Sequence, residues 1–447
     1  MSSAADELVR WAASHGARLH PSVEIYRDSV TGLSFRVKPT AGTAVQPYEP
    51  IVHLPTKKLS LSCLNADSAF DVVPATLPPH VVSRLVLIKE FAKGETSFWY
   101  PYIRTLPQPG NRDDWALPPF WSDAERALFA ATNIEVGIRD VRSGVEAELD
   151  LIRTALPDDG DVTADLYHWA FCVFSSRSFR PSLVLDTPRD DFAVLLPLLD
   201  VGNHDMTVHV RWEVDREAET CELRVGRVHA PGEQVFNNYS PKSNAELLMG
   251  YGFMVPTTDS LHNDYVHERK RGSKDEYLVS LRPLTDPSSV MARARQTLHL
   301  DLEPGATVLS CLRHVQPEMI WDMACAMTTP EERERAAPVP VGCGVDAEAW
   351  QRRGFLTGHL DPDDAVGAQT VQRCVLTLQA KLGTELELLE NADEHVVDDG
   401  QPLTRNRQLA LDYRSRCRNV LEAVMESIGD EDACLYEVMR RSGRNSK

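Results

Sequence analysis

The segment Tyr239-Ser-Pro-Lys-Ser-Asn-Ala-Glu-Leu-Leu-Met-Gly-Tyr251-Gly-Phe253 constrains this chain more than any other stretch. Its first residue closes the run Gln234-Val-Phe-Asn-Asn-Tyr239, which reads as a strand. The remainder reads as a helix opened by Pro241 and Ser243, with Ala245, Leu247, Leu248 and Tyr251 at helical spacing. A tyrosine hydroxyl is therefore held where a strand meets a helix. Upstream, the apolar run Phe192-Ala-Val-Leu-Leu-Pro-Leu-Leu199 reads as a buried strand. Its end delivers Asp200, Asn203 and His204 into a loop, the part of a fold where ligand contacts concentrate.

The rest of the chain sorts into strands first and helices later. Leu8 to Leu19 reads as a short amphipathic helix, followed by strands at Val23-Glu-Ile-Tyr26, Ser34-Phe-Arg-Val37 and Ile51-Val-His-Leu-Pro55. Residues 65 to 160 are helix-rich and broken by prolines. His209 to Val214 and Cys221 to Val225 alternate about a polar turn, as a hairpin does. After about residue 275 the pattern turns helical. Val371, Cys374, Val375, Leu378, Leu382, Leu386 and Leu389 recur on one face, and so do Leu409, Tyr413, Cys417, Val420 and Val424.

Composition narrows the function classes. The chain's 447 residues can hold two or three domains and a large core. Nine cysteines are scattered without a CxxC or a Cys/His cluster, so neither a structural zinc, nor any other metal site, nor a disulfide framework is expected. The start carries Asp6 and Glu7 without a long apolar run, and no stretch approaches a membrane span. The expected location is therefore the cytosol, the nucleus or both. A formal charge of −19 argues against direct nucleic-acid binding, which needs a basic face. An acidic surface can attract basic protein, although most of these charges read as ordinary solubility.

The two motifs resemble those of SET-domain methyltransferases, in the branch of RuBisCO large-subunit lysine methyltransferase and the fungal ribosomal and elongation-factor lysine methyltransferases. Two further segments carry the likeness. Phe91-Ala-Lys-Gly-Glu-Thr-Ser-Phe-Trp-Tyr-Pro-Tyr-Ile-Arg-Thr-Leu-Pro107 is similar to the family's G-x-x-S-x-W-x-P-Y-x-x-x-L-P element. Trp169 to Phe179 resembles its Ser-Arg-x-Phe return to the core. Four motifs in order are far more specific than any one of them. The implied fold is α+β: a SET β-fold with a helical insertion, then an all-helical C-terminal domain. The expected boundaries are 1–64 and 161–270 for the SET domain, 65–160 for the insertion and 271–447 for a substrate-binding domain.

The resemblance further implies an S-adenosylmethionine-dependent transfer of methyl to a lysine of a non-histone protein, leaving S-adenosylhomocysteine. By analogy, ribosomal proteins and translation factors are the candidate partners. Tyr239 matches the catalytic tyrosine that closes the lysine channel, and Tyr251 matches a tyrosine lining it. Asn203 and His204 match the cofactor-contacting Asn-His pair, and Arg177 matches an arginine near the cofactor, although an ion-pairing role would suit Arg177 equally well. Asp200 reads as a substrate contact or as a loop-capping carboxylate. Leu33 lies where the family has a glycine-rich turn against the cofactor, but this chain has Ser34 for the second glycine, and Ser34 reads equally as a strand residue. Ser240 stands where many relatives have glycine or another small residue. Two alternatives remain open: a protein-histidine methyltransferase of the same branch, and an inactive SET-like module that binds a basic peptide.

The chemistry fits these residue types. Methyl transfer from a sulfonium to an amine is an in-line displacement that depends mainly on positioning. Lysine has a reference pKa of about 10.4, so keeping it neutral near pH 7.4 costs roughly 4 kcal/mol. A dry channel beside a positive sulfonium lowers that cost through desolvation and like charge.

Overall fold

The computed structural model describes residues 3–157, 159–270, 272, 276–295, 298, 302, 306–340, 344, 346–396, 402–429 and 431–443. It divides into two compact units. The first comprises Met1–Phe120, Ile138–Ser240 and Met249–Gly252. The second comprises Trp121–Gly137, Pro241–Leu248 and Phe253–Lys447.

Small antiparallel sheets build the first unit. One is four-stranded, in the order β1 (Arg18–Leu19), β4 (Pro50–Pro55), β8 (Thr220–Val225), β7 (Val210–Asp215). A second has the order β2 (Val23–Asp28), β3 (Gly32–Val37), β9 (Gln234–Val235), and β5 (Ser178–Phe179) pairs with β6 (Val194–Leu195). The β7–β8 hairpin reflects period-two patterning: Cys221, Leu223 and Val225 are buried, while Thr220, Glu222 and Arg224 between them are not. Helices Pro79–Ala92 and Ala164–Arg177 pack on each other and supply much of the core, including Val82, Leu85, Val86 and Trp169.

Three sequence readings change here. The run expected as a strand from Gln234 to Tyr239 pairs with β3 only at Gln234 and Val235. Beyond Val235 the chain leaves that sheet and forms an isolated parallel bridge between Asn237 and His204. The run Phe192 to Leu199 is buried as expected but is a strand only at Val194 and Leu195. Pro197 has no N–H to continue a ladder, and Leu198 turns to φ +70° before a short 3-10 turn at Leu199–Val201. The first helix also runs earlier than its apolar pattern indicated, from Ala4 to Ser14, capped by Ser3 and Asp6.

The second unit is mainly helical. Helices Pro317–Met327, Ala347–Thr357, Ala365–Val396, Arg405–Ile428 and Glu431–Arg441 form it together with a hairpin of β10 (Tyr265–Arg269) and β11 (Glu276–Ser280). β11 lies in sequence read as helical, because its backbone is satisfied by cross-strand pairing with β10. The helical stripe holds: Val371, Cys374, Val375, Leu378, Leu382 and Leu389 are buried, as are Tyr413, Cys417, Val420 and Val424. Residues Trp121–Gly137, inside the segment read as an insertion, pack in this unit, where the Tyr413 hydroxyl donates to Asn133 Oδ1 at 2.7 Å. Among the described residues no cluster of His, Cys, Asp and Glu could hold a metal ion, and no helix is long and apolar enough to cross a membrane.

Candidate active site

Within the first unit, the end of the Gln234 to Tyr239 run lies against the loop that carries Asn203 and His204. Asn237 N donates to Asn203 O at 2.7 Å, and Asp205 N donates to Asn237 O at 2.9 Å. Gly202 allows this approach, since a Cβ there would lie 3.2 Å from Asn237 Cβ and 3.5 Å from the Phe35 ring. The crossing brings Tyr239 to His204. Tyr239 N donates to His204 Nδ1 at 3.0 Å, which makes Nδ1 an acceptor and assigns the proton of a neutral ring to Nε2. The rings of His204 and Tyr239 stack with centroids 5.0 Å apart at 18°. Tyr251 stacks on Tyr239 at 5.0 Å and 26°.

Tyr251 is delivered by helix Asn244–Tyr251. Ser243 and Glu246 cap its start reciprocally, with Ser243 N donating to Glu246 Oε2 at 2.7 Å and Glu246 N donating to Ser243 Oγ at 3.2 Å. Gly252, at φ +75°, ends it in the left-handed conformation that favours glycine. Ser175 Oγ donates to Gly250 O at 3.1 Å and ties that end to helix Ala164–Arg177.

Asp200 sits at the centre of the charges. Its side chain is 1% exposed, and Oδ2 accepts from the Tyr102 hydroxyl at 2.8 Å. Arg177 Nη1 lies 3.2 Å from Asp200 O and 3.5 Å from Oδ2. Burial raises the Asp200 carboxyl above its ordinary range, while the Arg177 charge and the Tyr102 bond oppose that rise. Asp200 Oδ1 is buried without a hydrogen-bond partner. Tyr239 is partly buried as a residue with its phenol end enclosed, and desolvation pushes that phenol above the usual tyrosine range, opposed by Arg177. The phenol thus stays protonated at neutral pH and acts as a donor, giving its proton to Gly202 O at 2.8 Å.

The site residues read from sequence gather unequally. Tyr239, His204 and Tyr251 stack, and Arg177 and Asp200 pair and act electrostatically on the Tyr239 phenol. Asn203 joins through its backbone and donates Nδ2 to Thr31 O at 3.3 Å, in the turn between β2 and β3. Leu33 pairs with Arg27 across that turn, two residues beyond Thr31. Ser34 is buried and accepts from Gln234 Nε2 at 2.7 Å, which is the behaviour of a strand residue. The Tyr102 hydroxyl holds Asp200, a role whose available sequence signal was its place in the Trp-x-Pro-Tyr element. Gly202, Asn237 and Asn238 went unread because their roles depend on a neighbour far away in sequence.

No family model matches the chain. It is 28% identical over 287 residues to the ribosomal lysine N-methyltransferase set10 of Schizosaccharomyces pombe, covering 60% of this chain and 50% of that protein. It is 26% identical over 316 residues to the actin-histidine N-methyltransferase of Gallus gallus, covering 64% and 47%. The chain spans about half the length of these relatives. Over 99% of its length it matches 96% of the crystal structure of the SET domain of LSMT bound to methyl-lysine and AdoHcy, with TM-score 0.63 and 18% identity. The chain is a relative of the SET-domain lysine methyltransferases. Its fold is the SET fold, with a helical C-terminal region.

Proposed function

We propose that this protein is an S-adenosylmethionine-dependent protein-lysine N-methyltransferase. The observation that carries this reading is the enclosed, protonated Tyr239 phenol, stacked with His204 and Tyr251 and lying in the field of Arg177 and the buried Asp200. Its likeness to the Schizosaccharomyces pombe ribosomal lysine methyltransferase supports the same assignment and makes a basic protein of the translation apparatus the favoured substrate.

The residues present suit the cofactor and the substrate. Among the described residues the Asn203 side chain makes one long hydrogen bond, through Nδ2, which leaves its amide oxygen for a ligand. Arg177 contacts Asp200 through Nη1, and its part-exposed guanidinium would suit a ligand carboxylate. S-adenosylmethionine, when bound, supplies the methyl group on a positively charged sulfonium. Asn203, His204 and Arg177 would hold it, with Leu33 and the β2–β3 turn at its edge. The enclosed Asp200 would stand behind the substrate amine, and Tyr251 would limit the rotation of that amine. Tyr239 orients the reacting groups through its hydroxyl and does not take a proton, because desolvation keeps it protonated.

Isothermal calorimetry with S-adenosylmethionine, followed by radiolabelled transfer to cell-extract proteins and mass spectrometry of the product, tests the proposal. The expected result is cofactor binding and methyl-lysine. Methyl-histidine in its place would establish the second reading, which the likeness to the Gallus gallus enzyme supports. Cofactor binding without any methylated protein would leave only a binding module.

A further inference from the structure

The backbone around Tyr239 is strained just beyond it. Ser240 has φ +77°, in the left-handed region that residues with a Cβ rarely adopt. Something else in the fold has to hold this turn. Asn238 makes the required contacts: its Oδ1 accepts from Ser240 N at 3.0 Å, while its Nδ2 donates to Met206 O at 3.2 Å and to Val208 O at 3.1 Å. One amide therefore joins the turn after Tyr239 to the loop after His204, through carbonyls 30 and 32 residues away in sequence. Asn238 N also donates to Asn237 Oδ1 at 2.7 Å, and the Asn237 backbone is bonded on both sides to Asn203 and Asp205. Tyr239 is thus bracketed by Asn237 before it and Ser240 after it, and the Asn238 side chain ties the second bracket to the same loop as the first.

We infer that Asn238 is a positioning residue for Tyr239, doing by side-chain hydrogen bonds what a glycine at 240 would do by conformational freedom. A small shift of a reacting group costs rate steeply, so the alignment of the phenol is where the effect should register. The inference rests on the methyl-transfer reading for its kinetic consequence and on geometry alone for its structural one.

The test uses the full chain labelled with 3-fluorotyrosine, with the Tyr239 fluorine resonance assigned by its loss in Tyr239→Phe. In the cofactor-free protein, Asn238→Ala should shift or broaden that resonance, and adding Ser240→Gly should restore it in part, because glycine holds φ +77° unaided. Asn238→Asp keeps the acceptor for Ser240 N and loses the two donations, so it reads the link to Met206 and Val208 separately. In turnover, Asn238→Ala should lower kcat about ten- to a hundredfold, with cofactor affinity within about twofold. The double variant should recover part of that loss. An unchanged Tyr239 resonance in Asn238→Ala, or equal defects in the single and double variants, would overturn the inference. If the unaltered protein transfers no methyl group, the proposed function fails, and the resonance still decides the role of Asn238.

Discussion

Around Tyr239 the first unit uses little regular structure: β9 is two residues long, Leu198 and Ser240 hold positive φ, and the two motif segments meet at one isolated bridge. The second unit relies on long helices, Ala365–Val396 and Arg405–Ile428, which pack along continuous buried stripes. Helices satisfy their own backbones, so side-chain burial alone can hold them. An irregular crossing needs each backbone group matched individually, and asparagine and glycine supply those matches at 202, 237 and 238. A site made by crossing loops can converge a phenol, an imidazole, a carboxylate and a guanidinium from segments far apart in sequence. A regular helix face offers neighbours only at fixed spacing.

If the contrast holds, damage to a stripe costs stability and damage to the crossing costs chemistry. The largest expected effect is on the helical side. Leu378→Ala, in a fully buried position, should cost about 2–5 kcal/mol by urea denaturation. A loss below about 1 kcal/mol would show that the stripe does not bear the lobe's stability. Tyr239→Phe should do the reverse, slowing methyl transfer about a hundredfold while stability and cofactor affinity stay close to those of the parent. Unchanged turnover would remove the phenol from the chemistry.

A third change sharpens the comparison by looking for polar strain inside the regular unit. Glu268 of β10 is buried, and its Oε2 is bonded to Lys381, which also holds Glu385. Burial, followed by the nearby Glu385, pushes the Glu268 carboxyl up to about 8. The folded chain therefore keeps a proton that the unfolded chain gives up in the usual carboxylate range, so stability should fall as pH rises from that range to about 8 and level off above it. Glu268→Gln should flatten this slope and gain on the order of 1–2 kcal/mol at alkaline pH. An unchanged slope in thermal melts across pH 4–9 would reject that account. The smallest effect belongs to Ser240→Gly, which should raise stability by about 0.5–1 kcal/mol by relieving the left-handed serine. Destabilisation in its place would mean that the lost chain entropy outweighs the strain.

The sequence by itself determined the order of the pieces and the residue types of the site. Period-two and period-3.6 patterns marked β2, β3, β4, the β7–β8 hairpin and the helical stripes, because burial of a face imposes its period locally. Motif order likewise marked Tyr239, Asn203, His204, Tyr251, Arg177 and Asp200. Only the tertiary structure decided where the strands through Leu199 and Tyr239 stop, that β11 is a strand, and that Tyr102 serves Asp200. Those outcomes depend on partners far away in sequence: Asn237 leaves β3 to bond Asn203 and Asp205, and Asn238 reaches Met206 and Val208. A local pattern records which face of a segment is buried, but not which distant carbonyl will take a side chain's hydrogen bond, and at this site the second determines the geometry.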